Sequence, residues 1–165
     1  GDEPYVFRPY RDSRFGKDKT PIKHSQGGYI PVEDAIAYYV QVSAAGLMVG
    51  GGWYAPEGEQ VARYRASVDS PVGEELERIL AKTGKRFEFD GRPLKTRPKG
   101  YEADHPRIDL LRNRRVVVSR MYPVEPWLST RKAFTQVRAD WRAIRPLIEW
   151  LADYVGPATP PDRAE

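Results

Sequence analysis

Two strand-like runs joined by a short glycine-containing turn constrain the fold of this chain most strongly. Residues 35–43 are rich in β-branched and aromatic side chains, and a second apolar run, residues 47–54, follows Gly46. Two such runs with a tight turn between them predict a β-hairpin. Tyr38 and Tyr39 are neighbours, so they point to opposite faces of this hairpin, and at least one of them is expected to be buried.

Three consecutive glycines, Gly50, Gly51 and Gly52, lie inside the second run. Glycines within a strand indicate a bulge, or a place where another group approaches the backbone closely. A phosphate-cradling loop is the alternative interpretation. It is the weaker one, because neither a following Lys-Ser/Thr pair nor a G-x-G-x-x-G spacing accompanies these glycines.

Helical and extended patterns alternate after the hairpin. They predict helices at about 57–69 and 73–82, a short strand at 87–89 with an Asp90-Gly91 hairpin turn, a short helix at 106–111 and a strand at 115–119. A strand pair, two helices, further strands and a final helix form a segregated order. This order predicts an α+β fold, in which helices pack on an antiparallel sheet and the C-terminal helix is long.

The C-terminal helix has the clearest pattern. It follows Ser129, its predicted N-cap, and is expected to end at Gly156, with Pro146 kinking or restarting it. Apolar residues recur at spacings of three and four and predict one buried face. These residues are Phe134, Val137, Trp141, Ile144, Ile148 and Leu151.

Length and composition limit the class of protein. A chain of 165 residues predicts one domain, residues 1–156, followed by a disordered polar tail at 157–165. The absence of cysteine excludes disulfides and thiolate metal sites. No apolar run is long enough to span a membrane and no signal-peptide pattern is present, so we expect a cytoplasmic protein without a membrane partner. The net charge of +4 fits an anionic partner but is small for a nucleic-acid-binding protein.

The densest chemistry lies in a polar, turn-rich segment, residues 1–30, which we expect to be a loop. Between Phe7 and His24 it carries six cations and two carboxylates, an excess of charge that an anion could neutralise. The residues predicted to bind such an anion are Arg11, Arg14, Lys17, Lys19 and Lys23. Asp12 and Asp18 each lie between two cations. They could hold the shape of the loop through ion pairs, or act as acid/base groups.

A second basic segment, residues 85–120, carries eleven cations against five carboxylates. Within it Lys95, Arg97 and Lys99 alternate, so in an extended backbone they point to one side and could bind the same anion as the first segment. Convergence of the two segments would form a pocket for phosphate, sulfate or a nucleic-acid backbone. A face for base stacking or sugar binding is a further interpretation of six aromatics, although most of them are better explained as core. They are Tyr38, Tyr39, Trp53, Tyr54, Tyr101 and Trp141.

The histidines give no metal signal, because the chain has only two of them and no H-x-x-x-H or H-x-H spacing. His105 could act as a general acid/base oriented by Asp104 or Asp109, but capping of the helix after Pro106 is the favoured interpretation. No G-x-S-x-G nucleophile motif is present. The sequence predicts neither a cofactor nor a metal, and it leaves the oligomeric state open.

Three ordered motifs carry a resemblance to a known family. They are residues 11–23, residues 39–54 with their glycine triplet, and residues 94–112 with Asp104-His105-Pro106. On these motifs the chain resembles a large family of bacterial and fungal proteins, the domain-of-unknown-function family 2461. The resemblance covers the chain from about Phe7 to Val155 and implies a shared architecture, but no activity.

Similar proteins usually carry a further, mostly helical segment ahead of this point. The chain also departs from the family pattern at Gly16, where a small hydroxyl residue is common, and at Ile22, where an aromatic is common. No role for a hydroxyl or a phenol is therefore expected at those positions. Three functions stay open: binding of an anionic, phosphate-bearing ligand, catalysis on a phosphorylated or carboxylated substrate, and docking of an acidic protein.

Overall fold

The computed structural model describes residues 3–6 and 25–158, which form an antiparallel six-stranded sheet with helices on it. Along the chain the strands and helices are β1 (Tyr5–Val6), β2 (Ser25–Glu33), β3 (Ile36–Ser43), β4 (Gly46–Trp53), α1 (Gly58–Asp69), α2 (Val72–Thr83), β5 (Glu88–Asp90), α3 (Ile108–Leu111), β6 (Val116–Tyr122) and α4 (Arg131–Tyr154). The strand order in the sheet is β1-β2-β3-β4-β6-β5. This architecture confirms the predicted α+β class with a long C-terminal helix.

The predicted hairpin is present as β3 and β4, which are joined by Ala44 and Ala45 and paired from Ile36–Trp53 to Ser43–Gly46. The expectation that residues 25–30 belong to a loop is wrong. They lie in β2, which pairs with the whole length of β3. A polar, glycine-containing sequence has little intrinsic strand preference, and here pairing with a strong neighbouring strand decides its conformation.

The helix α4 crosses one face of the sheet and buries Ile144, Ile148 and Leu151. Gly51 of β4 allows this close packing, because a Cβ at that position would lie 3.3 Å from both Ile144 and Ile148. The glycine triplet therefore marks a close approach within a fully paired strand, and its backbone is part of the sheet ladder on both sides.

Two details of the predicted C-terminal helix are wrong. Phe134 is 65% exposed and does not belong to the buried face. Thr130, not Ser129, is the N-cap, and its hydroxyl accepts a hydrogen bond from the Lys132 amide at 3.3 Å. Ser129 is unavailable for this role because it completes a preceding 3-10 helix, Pro126–Ser129, and donates its hydroxyl to the Pro126 carbonyl.

The helix α4 passes Pro146 as one element. Pro146 is exposed, as is Arg142, whose carbonyl loses its helical partner there, so water can satisfy that carbonyl. The end of the helix agrees with the prediction, since Gly156 follows it with a φ of +63°. Beyond Gly156, the Pro157 carbonyl accepts a hydrogen bond from the Arg63 guanidinium, and the Ala158 amide donates to the Asp34 carboxylate at 3.0 Å.

A buried glutamine joins three parts of the fold. Gln60 of α1 accepts the Trp53 indole N–H at 3.2 Å and donates to the Asp34 carbonyl at 2.8 Å and the Gly156 carbonyl at 2.9 Å. Its side chain also completes a capping box with Glu57 at the start of the helix. Because a buried amide is stable only when its donors and acceptors are paired, Gln60 fixes these segments relative to one another.

The Asp90-Gly91 pair is not a hairpin turn. It marks the point where β5 ends and the chain leaves for a long connection to β6, residues 91–115. The Gly91 carbonyl then accepts the amides of Arg114 at 2.8 Å and Arg115 at 3.1 Å as the chain returns. The connection therefore starts and ends at one place, beside the edge of the sheet.

Candidate anion-binding cleft

The second face of the sheet, opposite α4, contains a cavity of about 380 Å³. Side chains alternate along a strand, so Tyr38 packs against Trp141 of α4 while Tyr39 points to this second face. We call this cavity the tyrosine cleft. It is lined by Tyr29, Ala37, Tyr39, Val40, Gln41, Met48, Tyr54, Arg115 and Val117.

Tyr39 forms the floor of the tyrosine cleft. Its ring lies over Gly50, so a Cβ at position 50 would come within 2.7 Å of the ring. Burial raises the pKa of Tyr39, and the neighbouring Ser119 hydroxyl and Arg115 guanidinium partly oppose that shift. The phenol is therefore neutral at physiological pH and can donate or accept a hydrogen bond.

A second cavity, of about 420 Å³, adjoins the tyrosine cleft and shares Tyr54 and Arg115 with it as walls. Four arginines line this second cavity together with Tyr54, Pro56, Val61 and Leu94, and we call it the arginine pocket. The four come from different parts of the chain: Arg65 from α1, Arg92 from the start of the long connection, and Arg114 and Arg115 from its end. We refer to the two adjoining cavities together as the cleft, with an aromatic, largely apolar part and a cationic part.

Hydrogen bonds to the protein fix three of these arginines but use few of their donors. Arg114 donates Nε to the Arg92 carbonyl at 2.7 Å, and Arg65 donates Nε to the Leu111 carbonyl at 3.3 Å. Arg115 forms an ion pair with Asp90. A guanidinium has five N–H donors, so Arg65 and Arg114 each keep four that bond to no residue in the described part of the chain, whereas Arg115 Nε is buried without a partner.

Asp90 is the carboxylate that balances this group. Hydrogen bonding to the Arg115 guanidinium lowers its pKa below the ordinary value, so Asp90 is ionised at neutral pH. Within residues 3–6 and 25–158, Arg65, Arg92 and Arg114 form no ion pair of their own. The four arginines thus keep an excess of positive charge after Asp90 is counted.

The backbone at Arg92 is strained. Its φ is +42°, a left-handed conformation that non-glycine residues rarely adopt. The Asp90 side chain holds this turn by accepting the Arg92 amide at 3.1 Å. Strain of this kind concentrates at functional sites, because the surrounding structure must maintain it. At Arg92 it brings a side chain to the wall of the arginine pocket.

Most of the sequence-predicted site lies outside the described residues. This applies to Arg11, Asp12, Arg14, Lys17, Asp18, Lys19 and Lys23. The other predicted ligands, Lys95, Arg97 and Lys99, are exposed and line neither part of the cleft. Arg97 turns back on its own loop, donating to the Tyr101 carbonyl at 2.9 Å and pairing with Glu102 at 3.3 Å.

His105 has both ring nitrogens engaged. Its Nε2 lies 2.6 Å from a carboxylate oxygen of Asp69, and its Nδ1 accepts the Arg107 amide at 2.9 Å. An accepting Nδ1 places the proton of a neutral ring on Nε2, so His105 donates to Asp69. The carboxylate partner is thus Asp69 at the end of α1, rather than Asp104 or Asp109, and His105 ties the long connection to that helix.

Sequence reasoning missed the arginine pocket as a group. Arg92, Arg114 and Arg115 were counted in the basic segment 85–120, but nothing in their spacing shows that they meet. Antiparallel pairing of β5 with β6 brings both ends of the connection together, and α1 adds Arg65 from another part of the chain. The available signals were the Asp90-Gly91 pair after one predicted strand and the Arg114-Arg115 pair at the start of the next.

The described residues, 3–6 and 25–158, bear on two other kinds of site, metal ligation and membrane crossing. Within them, no group of three His, Asp or Glu side chains is arranged to hold a metal ion. None of their helices is long and apolar enough to cross a membrane.

The fold and the cleft define an α+β protein with one helix-covered sheet face and one face that carries a ligand-sized cleft. The family described as "Conserved hypothetical protein (DUF2461)" matches residues 2–150, and the chain belongs to this family. The resemblance predicted from the three motifs is thereby confirmed. No curated protein and no solved structure matches the chain.

Proposed function

We propose that this protein binds a small anionic ligand, with a phosphate or carboxylate group in the arginine pocket and an apolar or aromatic body in the tyrosine cleft. The observation that carries the proposal is that four arginines line one cavity, and that this cavity shares Tyr54 and Arg115 with the largely apolar tyrosine cleft. Arginine forks match the oxygens of phosphate and carboxylate groups with paired hydrogen bonds, which favours such a ligand over a neutral one.

Size and lining support a small molecule. The two cavities, about 380 Å³ and 420 Å³, fall in the range of small-molecule sites. Such sites combine hydrophobic and aromatic walls with a few polar groups that fix the orientation of the ligand. The hydrophobic and aromatic walls here are Tyr29, Tyr39, Tyr54 and Met48. The arginines supply the polar groups.

The proposal keeps the predicted class of ligand but changes the residues that bind it. The cations proposed to contact the anion are now the four arginines of the arginine pocket. They take the place of Lys95, Arg97 and Lys99. Catalysis by His105 is not part of the proposal, because its ring nitrogens already bond to Asp69 and to the Arg107 amide.

Titration with small probes tests the proposal. Phenyl phosphate carries both chemical parts, while inorganic phosphate and benzyl alcohol carry one each. We expect phenyl phosphate to bind at least about tenfold more tightly than either fragment, because only it fills both parts of the cleft. Amide chemical shifts from NMR spectra should change in β3, β4 and β6.

Variants assign the binding to the arginine pocket. The double variant Arg65→Gln, Arg114→Gln should weaken phenyl phosphate binding about tenfold or more, since two charge-assisted contacts are lost. The matched control Lys95→Gln, Lys99→Gln removes the same charge from exposed positions outside the cleft and should leave the affinity within about twofold. Equal losses in both variants, with unchanged thermal unfolding, would show that binding depends only on overall charge and would reject the proposal.

A further inference from the structure

A further cavity, separate from the cleft, lies between the C-terminal part of α2 and the middle of α4. Its volume is about 650 Å³. Five cations line it, and no carboxylate does so in the described part of the chain. They are Arg78, Lys82, Lys85, Arg86 and Arg142. We call this cavity the basic groove.

The five cations lack internal partners. Between residues 25 and 158 none of them takes part in an ion pair or a side-chain hydrogen bond, although Arg63, Arg97, Arg115 and Arg145 do pair with carboxylates. Several like charges around one concavity repel each other, and an opposite charge in the groove would relieve that repulsion.

Helix electrostatics explains only part of this arrangement. Lys82 lies in the last turn of α2, where a cation interacts favourably with the helix dipole. Lys85 and Arg86 come after the helix, Arg78 lies one turn earlier, and Arg142 belongs to α4. Stabilisation of one helix end therefore does not account for the convergence of the cations on one cavity.

The floor of the basic groove is apolar. The apolar residues that line it with the cations are Ile79, Phe87, Ala143 and Pro146. A ligand that carries only negative charge would leave this floor without a contact. A chain with both acidic and apolar side chains would satisfy the cations and cover the floor at the same time.

We propose that the basic groove docks an acidic segment of a partner protein, in which carboxylates alternate with apolar side chains. Charge complementarity identifies the acidic part of the partner, and the apolar floor identifies the rest. Single-stranded nucleic acid fits less well, because it needs exposed aromatic rings for base stacking. Among the described residues that line the groove, Phe87 is the aromatic one, and it is only 4% exposed.

Fluorescence polarisation with labelled peptides tests this inference. The probe is a peptide of alternating glutamate and leucine residues, compared with a polyglutamate peptide of equal charge. We expect the alternating peptide to bind several-fold more tightly than polyglutamate, and both affinities to fall as salt is raised. Equal affinities, or no binding at low salt, would overturn the proposed docking mode.

Charge reversal locates the binding site. The double variant Lys85→Glu, Arg86→Glu should weaken binding of the alternating peptide about tenfold or more, because two attractive contacts become repulsive. The milder variant Lys82→Ala, Arg142→Ala should give a smaller loss in the same direction. The control Lys95→Glu, Lys99→Glu changes the net charge equally at exposed positions outside the groove and should stay within about twofold.

Two further outcomes count against the proposal. Equal losses in the Lys85/Arg86 and Lys95/Lys99 variants would show attraction to the overall charge of the protein rather than docking in the groove. Tighter binding of oligothymidine or inorganic polyphosphate than of the alternating peptide, lost in the Lys85/Arg86 variant, would assign the groove to a phosphate backbone instead. Phenyl phosphate binding should be unchanged in all of these variants, so this inference and the proposed ligand site succeed or fail separately.

Discussion

Tyr39 of β3 and Gly50 of β4 are paired across the sheet, and the ring of Tyr39 occupies the space that a side chain at position 50 would need. This pairing connects the fold to the candidate site. The glycine lets the ring lie against the backbone of β4, where it forms the floor of the tyrosine cleft. Glycine weakens the interior of a strand, so its presence at position 50 has a steric reason.

Replacing Gly50 with alanine should destabilise the protein and damage the tyrosine cleft. A Cβ there would lie 2.5 Å from the Val118 carbonyl oxygen and 2.7 Å from the Tyr39 ring, so backbone and ring must shift. We expect a loss of about 1–3 kcal/mol in the free energy of unfolding, measured by urea denaturation. Phenyl phosphate binding should weaken as well.

Gly58→Ala is the matched control for that substitution. Gly58 lies in the first turn of α1, and a Cβ there meets no atom within 4 Å. Alanine is the better helix former, so the control should be as stable as the wild type or more stable by up to about 1 kcal/mol. Destabilisation by Gly58→Ala to the same extent as by Gly50→Ala would contradict the steric explanation.

Replacing Gln60 with leucine should cost about 3 kcal/mol or more of unfolding free energy. The substitution introduces an apolar side chain of similar size and leaves the Trp53 indole N–H and the Asp34 and Gly156 carbonyls without their partner in a buried site. Thermal or urea unfolding measures the loss. Gln136→Leu, which removes one hydrogen bond at a half-buried position of α4, should cost much less. Similar costs for the two substitutions would show that Gln60 is not a central connection.

The stability of the protein should fall between about pH 10 and 12, in part because of Tyr122. Burial and the Asp140 carboxylate, which accepts the Tyr122 hydroxyl at 2.6 Å, raise the pKa of Tyr122 from 10.0 to about 12. Below pH 10 this tyrosine is protonated in the folded and the unfolded state, so its full contribution is present. As the pH rises further the unfolded state loses the proton first, and the folded state loses stability.

The Tyr122→Phe variant isolates this effect. It should be less stable than the wild type at pH 7, because buried Asp140 loses a donor, and its stability should fall less steeply between pH 10 and 12. Urea unfolding at several pH values measures both slopes. Parallel curves for the two proteins would contradict the assignment of this pH dependence to Tyr122.

The contact between His105 and Asp69 should act on stability and not on ligand binding. A double-mutant cycle with His105→Ala and Asp69→Ala should give a coupling of about 0.5–1 kcal/mol in unfolding free energy, the size expected for a partly exposed pair. Phenyl phosphate affinity should stay within about twofold in both single variants. A large loss of affinity in His105→Ala alone would contradict this expectation. It would place His105 in the ligand site and support a role in proton transfer.

Local patterns predicted the elements whose signals lie within a few residues. The β3–β4 hairpin, α1, α2 and the apolar face around Ile144 and Ile148 follow from turn residues and periodicity. The strand β2 has no such signal in its own sequence. Pairing with β3 decides its conformation instead. Phe134 fits the period of α4 but is exposed, since periodicity cannot show where a helix leaves the core.

The candidate site was less predictable for a related reason. Charge content pointed to the basic segment 85–120 and to an anionic ligand, but it did not distinguish Arg115, which lines the cleft, from Arg97, which folds onto its own loop. That distinction depends on the pairing of β5 with β6 and on the packing of α1, which bring Arg65 and Arg92 to the same place. Contacts between residues far apart in sequence cannot be derived from the spacing of charges.

A crystal structure of the protein soaked with phenyl phosphate tests the central claim most directly. We predict that the phosphate oxygens lie within about 3 Å of guanidinium nitrogens from at least two of Arg65, Arg92, Arg114 and Arg115. The phenyl ring should lie against Tyr39 or Tyr54 in the tyrosine cleft. A phosphate bound at Lys95, Arg97 and Lys99 or in the basic groove, with the arginine pocket empty, would contradict the account.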